Sequence, residues 1–281
     1  MKLRSLLFVP GDRADRMAKA QQSQADAVIF DLEDAVAADR KDAARLTVKG
    51  FLANEACARA TFVRINPLDS GRANSDLEAL AGHPPDGIVL PKACGREAID
   101  QLDRLLGSYG LQHLPILPIA TETAASVFEL GSFRAVSDRL LGLTWGAEDL
   151  SAAVTASTPR EADGAFTSPY VMVRALALFS AHAANVPAIE TLYPDIRDPN
   201  GLARFARAAV RDGFSGMMAI HPAQVDIIHA ALTPTDEEVL RARTIVDAFA
   251  QQPGTGTIAV DGKMLDAPHL RQAQWLLARV P

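Results

Sequence analysis

Two apolar runs in this sequence end in acids. Pro115-Ile116-Leu117-Pro118-Ile119-Ala120-Thr121-Glu122 delivers one carboxylate, and Leu140-Leu141-Gly142-Leu143-Thr144-Trp145-Gly146-Ala147-Glu148-Asp149-Leu150 delivers two. A buried strand that runs out into acids places them at the rim of a sheet. Neighbouring parallel strands ending in Glu122 and Asp149 would set a pair of hard oxygen ligands side by side. That pair suits Mg²⁺, which takes one or two carboxylates and leaves its other positions to water and substrate. The competing reading is that both acids only cap the helices that follow, Asp149 above all. Four other runs carry chemistry. Ala27–Phe30 opens onto Asp31-Leu32-Glu33-Asp34, and Thr61-Phe62-Val63-Arg64-Ile65-Asn66 is interrupted by an arginine, either paired inside or aimed at an anion. Gly87-Ile88-Val89-Leu90 leads through Pro91 to Lys92, and Gly216-Met217-Met218-Ala219-Ile220 leads to His221-Pro222.

These runs must be positioned by a larger pattern. Leu3–Val9, stopped by Pro10-Gly11, reads as a first strand, followed by a helix beginning near Asp12, a plausible cap. Glu190-Thr191-Leu192-Tyr193-Pro194 is a weak seventh strand. Alanine-rich amphipathic segments such as Val171–Ala183 and Leu202–Arg211 read as helices between strands. Eight strands separated by helices is the pattern of a (β/α)₈ TIM barrel. A doubly wound sheet also alternates this way, but no glycine-rich phosphate loop follows the first strand and no GxGxxG occurs. The barrel is expected over residues 1–232. Residues 233–281 form an extension: a helix over Thr235–Gln252, a hinge at Pro253-Gly254-Thr255-Gly256-Thr257, an acid-bearing run to Asp266, and a last helix over His269–Arg279. Such an extension could be a lid, an oligomer arm or plain surface.

A TIM barrel collects its active site at the C-terminal strand ends. Asp31, Glu33, Asp34, Arg64, Lys92, Glu122, Asp149 and His221 would then share one rim. A divalent ion on Glu122 and Asp149, with Asp31, Glu33 and Asp34 holding its waters, accounts for the acids together. Arg64 would face an anionic substrate or an oxyanion developing in reaction. Other schemes fare worse: the histidines show no HExxH or other zinc spacing, and there is no GxSxG elbow. Lys92 could form a Schiff base, but nothing around it in sequence would lower its pKa.

At 281 residues and 48% hydrophobic content the chain can bury a large core. A net charge of −6 argues against a nucleic-acid or membrane-surface partner, although local basic patches could bind phosphate. Cys57 and Cys94 form neither a disulfide framework nor a zinc pattern. The start Met1-Lys2-Leu3-Arg4 has no signal-like apolar region, and no stretch reaches the ~18 apolar residues of a spanning helix. A cytoplasmic protein is expected.

The motifs Arg4-Ser5-Leu6-Leu7-Phe8-Val9-Pro10-Gly11, Asp31-Leu32-Glu33-Asp34-Ala35-Val36, Val63-Arg64-Ile65-Asn66, Leu90-Pro91-Lys92, Glu122-Thr123-Ala124, Gly146-Ala147-Glu148-Asp149-Leu150 and His221-Pro222, in this order, resemble those of citrate lyase β-subunit-like proteins. These belong to the HpcH/HpaI aldolase and malyl-CoA lyase superfamily. The resemblance implies a Mg²⁺-dependent barrel, a homotrimer or hexamer, that cleaves or forms a carbon–carbon bond beside an acyl-CoA thioester. By the same resemblance Glu122 and Asp149 would bind Mg²⁺, and Arg64 the substrate carboxylate or thioester oxygen. Phe8, Arg16 and Lys19 would lie near the CoA, with the backbone at Ile220 and His221. Relatives fold the tail over a neighbouring subunit's site and supply an aspartate, a position that Asp266 matches. The implied reaction splits a 3-hydroxyacyl-CoA such as citramalyl-CoA or malyl-CoA into acetyl-CoA and a 2-oxo acid. Thioester hydrolysis, or action on a carrier-bound thioester within a multi-subunit complex, are the alternatives.

Overall fold

The computed structural model describes residues 2–54 and 57–280. They form two compact units, Met1–Ile228 and His229–Pro281. The first contains eight parallel strands: β1 Ser5–Pro10, β2 Ala27–Asp31, β3 Ala60–Arg64, β4 Gly87–Leu90, β5 Ile116–Pro118, β6 Leu143–Thr144, β7 Ala188–Glu190 and β8 Gly216–Ala219. Their order is β5-β4-β3-β2-β1-β8-β7-β6. Parallel bridges Ile116–Leu140 and Ile119–Thr144, with the Ala120 N–H donating to the Thr144 carbonyl at 2.9 Å, join β5 to β6 and close the sheet. The unit is a (β/α)₈ barrel.

Strands such as Ala27-Val28-Ile29-Phe30 read as continuous apolar runs because both faces are covered, by the barrel interior on one side and helices on the other. The interior is filled by Leu6, Ala27, Ile29, Phe62, Val89, Leu117, Ile119, Ile189 and Met218. The two-residue period then decides what reaches the rim. Ile29 pairs with Phe62 in register, and two residues on Asp31 pairs with Arg64. The same inward column that packs the core therefore ends in an acid and a guanidinium.

Several boundaries differ from the sequence expectations. The first helix, Ala14–Gln21, has Arg13 at its cap position with no side-chain cap. Asp12 instead pairs with Arg40 at 2.8 Å, so the expected Asp12 cap is not formed. The seventh strand ends at Glu190, where the apolar pattern had placed its start. Helix Ser168–Ala183 begins earlier than its apolar stripe, with proline in its first turn, and Pro199–Asp212 is capped by Asp198 accepting from the Gly201 N–H at 2.8 Å.

In the second unit, Thr235 and Glu238 form a capping box that starts helix Asp236–Ala250. Strands β9 Thr257–Val260 and β10 Lys263–Asp266 pair antiparallel across Asp261-Gly262, both left-handed, as a two-residue hairpin turn requires. Helix Ala267–Leu277 follows. Leu232, Ala242, Ile258, Leu265 and Ala273 are the unit's buried apolar side chains among the described residues. Among the described residues no helix is long and apolar enough to cross a membrane.

Candidate active site

The strand ends of the barrel bring four carboxylates and two cations together. Arg64, at the end of β3, donates to Asp31 through Nε at 2.8 Å and Nη2 at 2.6 Å, and its Nη1 lies 2.9 Å from Glu33 Oε2. Its guanidinium stacks over the Phe8 ring, 4.8 Å from the centroid. Burial opposes the charge on Arg64, but Asp31 and Glu33 more than offset it and hold the pKa above the ordinary arginine value. Asp31 also accepts from the Glu33 and Ala35 N–H groups, at 2.8 and 3.0 Å. Both oxygens of Asp31 are thus engaged by the arginine and the backbone turn. Glu33 shares its two oxygens between Lys92 Nζ, at 2.6 Å, and Arg64. Burial raises its pKa against the pull of those cations. Asp31 and Glu33 both face cations, and Asp34 is exposed.

Glu122 follows β5 and is 3% exposed. Its Oε2 accepts from the Lys92 backbone N–H at 2.6 Å. Burial pushes its pKa up to about 8, with repulsion from Asp149 and Glu33 adding to the effect. Glu122 does not cap the next helix: Thr123 and Ser126 do, as a reciprocal box. Thr121 fixes the neighbouring segment, its hydroxyl accepting from the Gly146 N–H at 3.1 Å and donating to the Gly146 carbonyl at 3.2 Å. Glycine at 146 allows this close approach, because a Cβ there would lie 3.0 Å from Glu122 Cγ and press on the carboxylate's stem. This close approach carries the chain to Asp149, which lies in the first turn of helix Glu148–Ala153 and 3.7 Å from Lys92 Nζ. Asp149 is in the first turn rather than at the cap position, which Ala147 occupies.

Lys92 is an ammonium. Burial lowers its pKa, but Glu33, Asp34 and Glu122 together more than offset it, so the net shift is upward. That is the opposite of what a Schiff-base lysine needs.

Phe8, Asp31, Arg64, Glu122, Asp149 and Ile220 line one pocket of about 170 Å³, walled elsewhere by Ile119, Trp145, Leu192 and Met218. A second pocket adjoins it at Phe8 and Ile220 and carries Arg13, Arg16, Lys19 and His221, with Asp15 the acid among them. The five residues expected near a CoA, Phe8, Arg16, Lys19, Ile220 and His221, are thus brought together in one place. His221 spends Nδ1 on the Ala223 N–H. Asp266 lies in the second unit, its carboxylate 2.6 Å from His269 Nδ1 at the start of the last helix.

Sequence reasoning missed Glu190. It is wholly buried at the end of β7 and accepts from Trp145 Nε1 and Arg174 Nε, each at 2.6 Å, and from the Thr191 N–H at 2.9 Å. Burial raises its pKa in spite of these donors. Arg174 continues to Asp212 at 2.8 Å. The network anchors Trp145 beside the Gly146–Asp149 segment. No spacing signals it, since its members lie on separate elements joined only by the closed sheet.

The family profile of HpcH/HpaI aldolase/citrate lyase matches residues 4–222. A citrate lyase subunit beta-like protein of Mycobacterium tuberculosis is 36% identical over 273 residues, covering 97% of this chain and 94% of the relative. The mitochondrial citramalyl-CoA lyase of Rattus norvegicus is 32% identical over 292 residues, covering 96% and 84%. A crystal structure of CitE from M. tuberculosis, in complex with magnesium, acetoacetate and coenzyme A, superposes with a TM-score of 0.84 at 35% identity, covering 98% of this chain and 97% of that one. The barrel, the ordered motifs and these matches agree, and the chain belongs to the HpcH/HpaI aldolase/citrate lyase family.

Proposed function

We propose that this protein is a Mg²⁺-dependent carbon–carbon lyase that cleaves, or in reverse forms, a 3-hydroxyacyl-CoA such as citramalyl-CoA or malyl-CoA, giving acetyl-CoA and a 2-oxo acid. The observation that carries this reading is the pair Glu122 and Asp149, on neighbouring strand ends, sharing one pocket with Arg64. The donor set fits the ion. Both ligands are hard carboxylates, and the local count of four acids against Arg64 and Lys92 leaves a deficit of positive charge. Among the described residues no group of three or more His, Cys, Asp and Glu is arranged for a metal, so the ion would take two protein ligands and fill its shell with water and substrate. When bound, Mg²⁺ supplies Lewis-acid stabilisation of negative charge on the 2-oxo acid half.

The chain's own groups do the rest. Arg64 commits two of its five N–H donors to Asp31 and sets Nη1 in an ion pair with Glu33, which fixes the guanidinium and leaves it aimed at the oxyanion of an acetyl-CoA enolate. Arg13, Arg16 and Lys19 offer a cationic wall to the CoA phosphates. Ile119, Leu192 and Met218 exclude water around the reacting carbons. Asp266 is our candidate for the proton-transfer group, contributed from the tail of a neighbouring copy in a homotrimer or hexamer. The relatives named above, one a citramalyl-CoA lyase and one solved with magnesium and coenzyme A, support the substrate class.

Incubation of the purified protein with citramalyl-CoA or malyl-CoA and Mg²⁺ tests the reading. The expected products are acetyl-CoA and pyruvate or glyoxylate. Free hydroxy acid and CoA would make it a thioesterase, and no turnover would make it a carrier-dependent subunit.

A further inference from the structure

Lys92 touches three of the rim acids by two routes. Its backbone is left-handed, with φ +51°, a conformation that side chains rarely adopt, and there its N–H donates to Glu122 Oε2 at 2.6 Å. Its ammonium donates to Glu33 Oε1 at 2.6 Å and stands 3.7 Å from Asp149 Oδ1. Glu33 in turn sets its other oxygen 2.9 Å from Arg64 Nη1, in an ion pair not aligned as a hydrogen bond. A strained backbone held at a functional rim is retained where the surroundings over-determine it. The reaction assigned above leaves this lysine without a task.

Resting on the reading of Glu122 and Asp149 as ligands of a divalent cation, we propose that Lys92 is a positioning residue whose ammonium is the built-in counter-cation of the acidic rim. It shares Asp149 with the ion, and by gripping Glu33 it holds one arm of the Arg64 guanidinium. Two consequences have opposite signs. A unit positive charge a few ångström from a carboxylate competes with a divalent ion for it, so Lys92 weakens ion binding. The same ammonium orders Glu33, and through it Arg64, so Lys92 raises turnover. A residue that merely stapled the loop would favour both when present and harm both when removed.

The test measures Mg²⁺ binding by calorimetry without substrate, and turnover separately. Lys92→Met keeps the left-handed backbone and its N–H but removes the charge. It should bind Mg²⁺ about tenfold more tightly, while kcat falls at least tenfold and KM changes little. Lys92→Arg restores a cation and should return Mg²⁺ affinity to within about threefold of wild type. Thermal melting confirms folding, and Lys92→Gln carries the same criterion should the methionine variant not fold. Unchanged or weaker Mg²⁺ binding in a folded, uncharged variant overturns the proposal. Wild-type protein that binds no Mg²⁺ overturns it together with the metal reading. Wild-type protein that binds Mg²⁺ and loses it on Asp149→Asn, with no tightening in Lys92→Met, overturns this proposal alone.

Discussion

Replacing Arg64 by lysine separates charge from geometry. The guanidinium meets Asp31 by two parallel hydrogen bonds, 2.8 and 2.6 Å, and reaches Glu33 with its remaining arm at 2.9 Å. A lysine ammonium keeps the unit charge but cannot span both acids in one plane, nor stack on Phe8 as a flat cation. Asp31 would retain its two backbone donors, from Glu33 and Ala35, so it would not be left bare. The stability cost is therefore that of about one charge-assisted hydrogen bond, ~2 kcal/mol. At about 2–4 °C per kcal/mol for a chain of this size class, the melting temperature should fall by roughly 4–8 °C. The catalytic cost should be larger, because a donor aimed at developing charge loses its fixed direction: kcat is expected to fall by roughly 10²–10³. The assay is acetyl-CoA release from citramalyl-CoA or malyl-CoA under saturating Mg²⁺, beside a thermal melt. A folded Arg64→Lys protein within a few-fold of wild type would refute the reasoning and reduce Arg64 to a structural partner of Asp31.

Asp149→Asn should abolish Mg²⁺-dependent turnover with an unchanged melting temperature, and excess chelator should do the same to wild type; activity surviving either would remove Asp149 as a ligand. Glu122 has its folded pKa raised from 4.5 to about 8, chiefly by burial, so the native state holds a proton that the unfolded chain releases. Its contribution is thus fully present below pH 4.5 and lost as pH rises to about 8, so the metal-free protein should become less stable across that window. Mg²⁺ should restore most stability at the alkaline end, and Glu122→Gln should flatten the profile; melts across pH check both. Glu190→Gln removes the charge facing Arg174 and should cost about 3 kcal/mol, at the low end for a broken buried pair because Asp212 still holds the guanidinium; chemical denaturation measures it. Arg64→Ala and Asp266→Ala, each inactive alone, should regain part of the activity when refolded together as mixed oligomers, and none in verified mixtures would remove Asp266 as a group shared between copies.

The barrel was legible along the chain because its signals are local. Runs such as Ala27–Phe30 and Gly87–Leu90 are continuous in sequence, and a parallel strand buried on both faces needs no distant partner to be recognised. Strand ends were equally readable, since a run that stops at an acid or at Pro-Lys marks the rim by itself. Hence the sequence alone marks Glu122, Asp149, Arg64 and Lys92 as rim residues. Where the local signal is mixed, as at Glu190, the apolar pattern points to a strand starting two residues late, and the buried acid that ends β7 reads as a strand's first residue. What only the tertiary structure decided is who pairs with whom. Asp31 and Arg64 are 33 positions apart, Glu33 and Lys92 59, and Trp145 and Glu190 45. Those pairings follow from strand register and from closure between β5 and β6, which depend on the packing of the whole interior. The left-handed backbone of Lys92, which turns an ordinary loop residue into a donor for Glu122, is likewise imposed from outside the local sequence. Residue type and spacing determined which charges stand at the rim; only the closed sheet determined which of them neutralise one another and which pair is left short of positive charge.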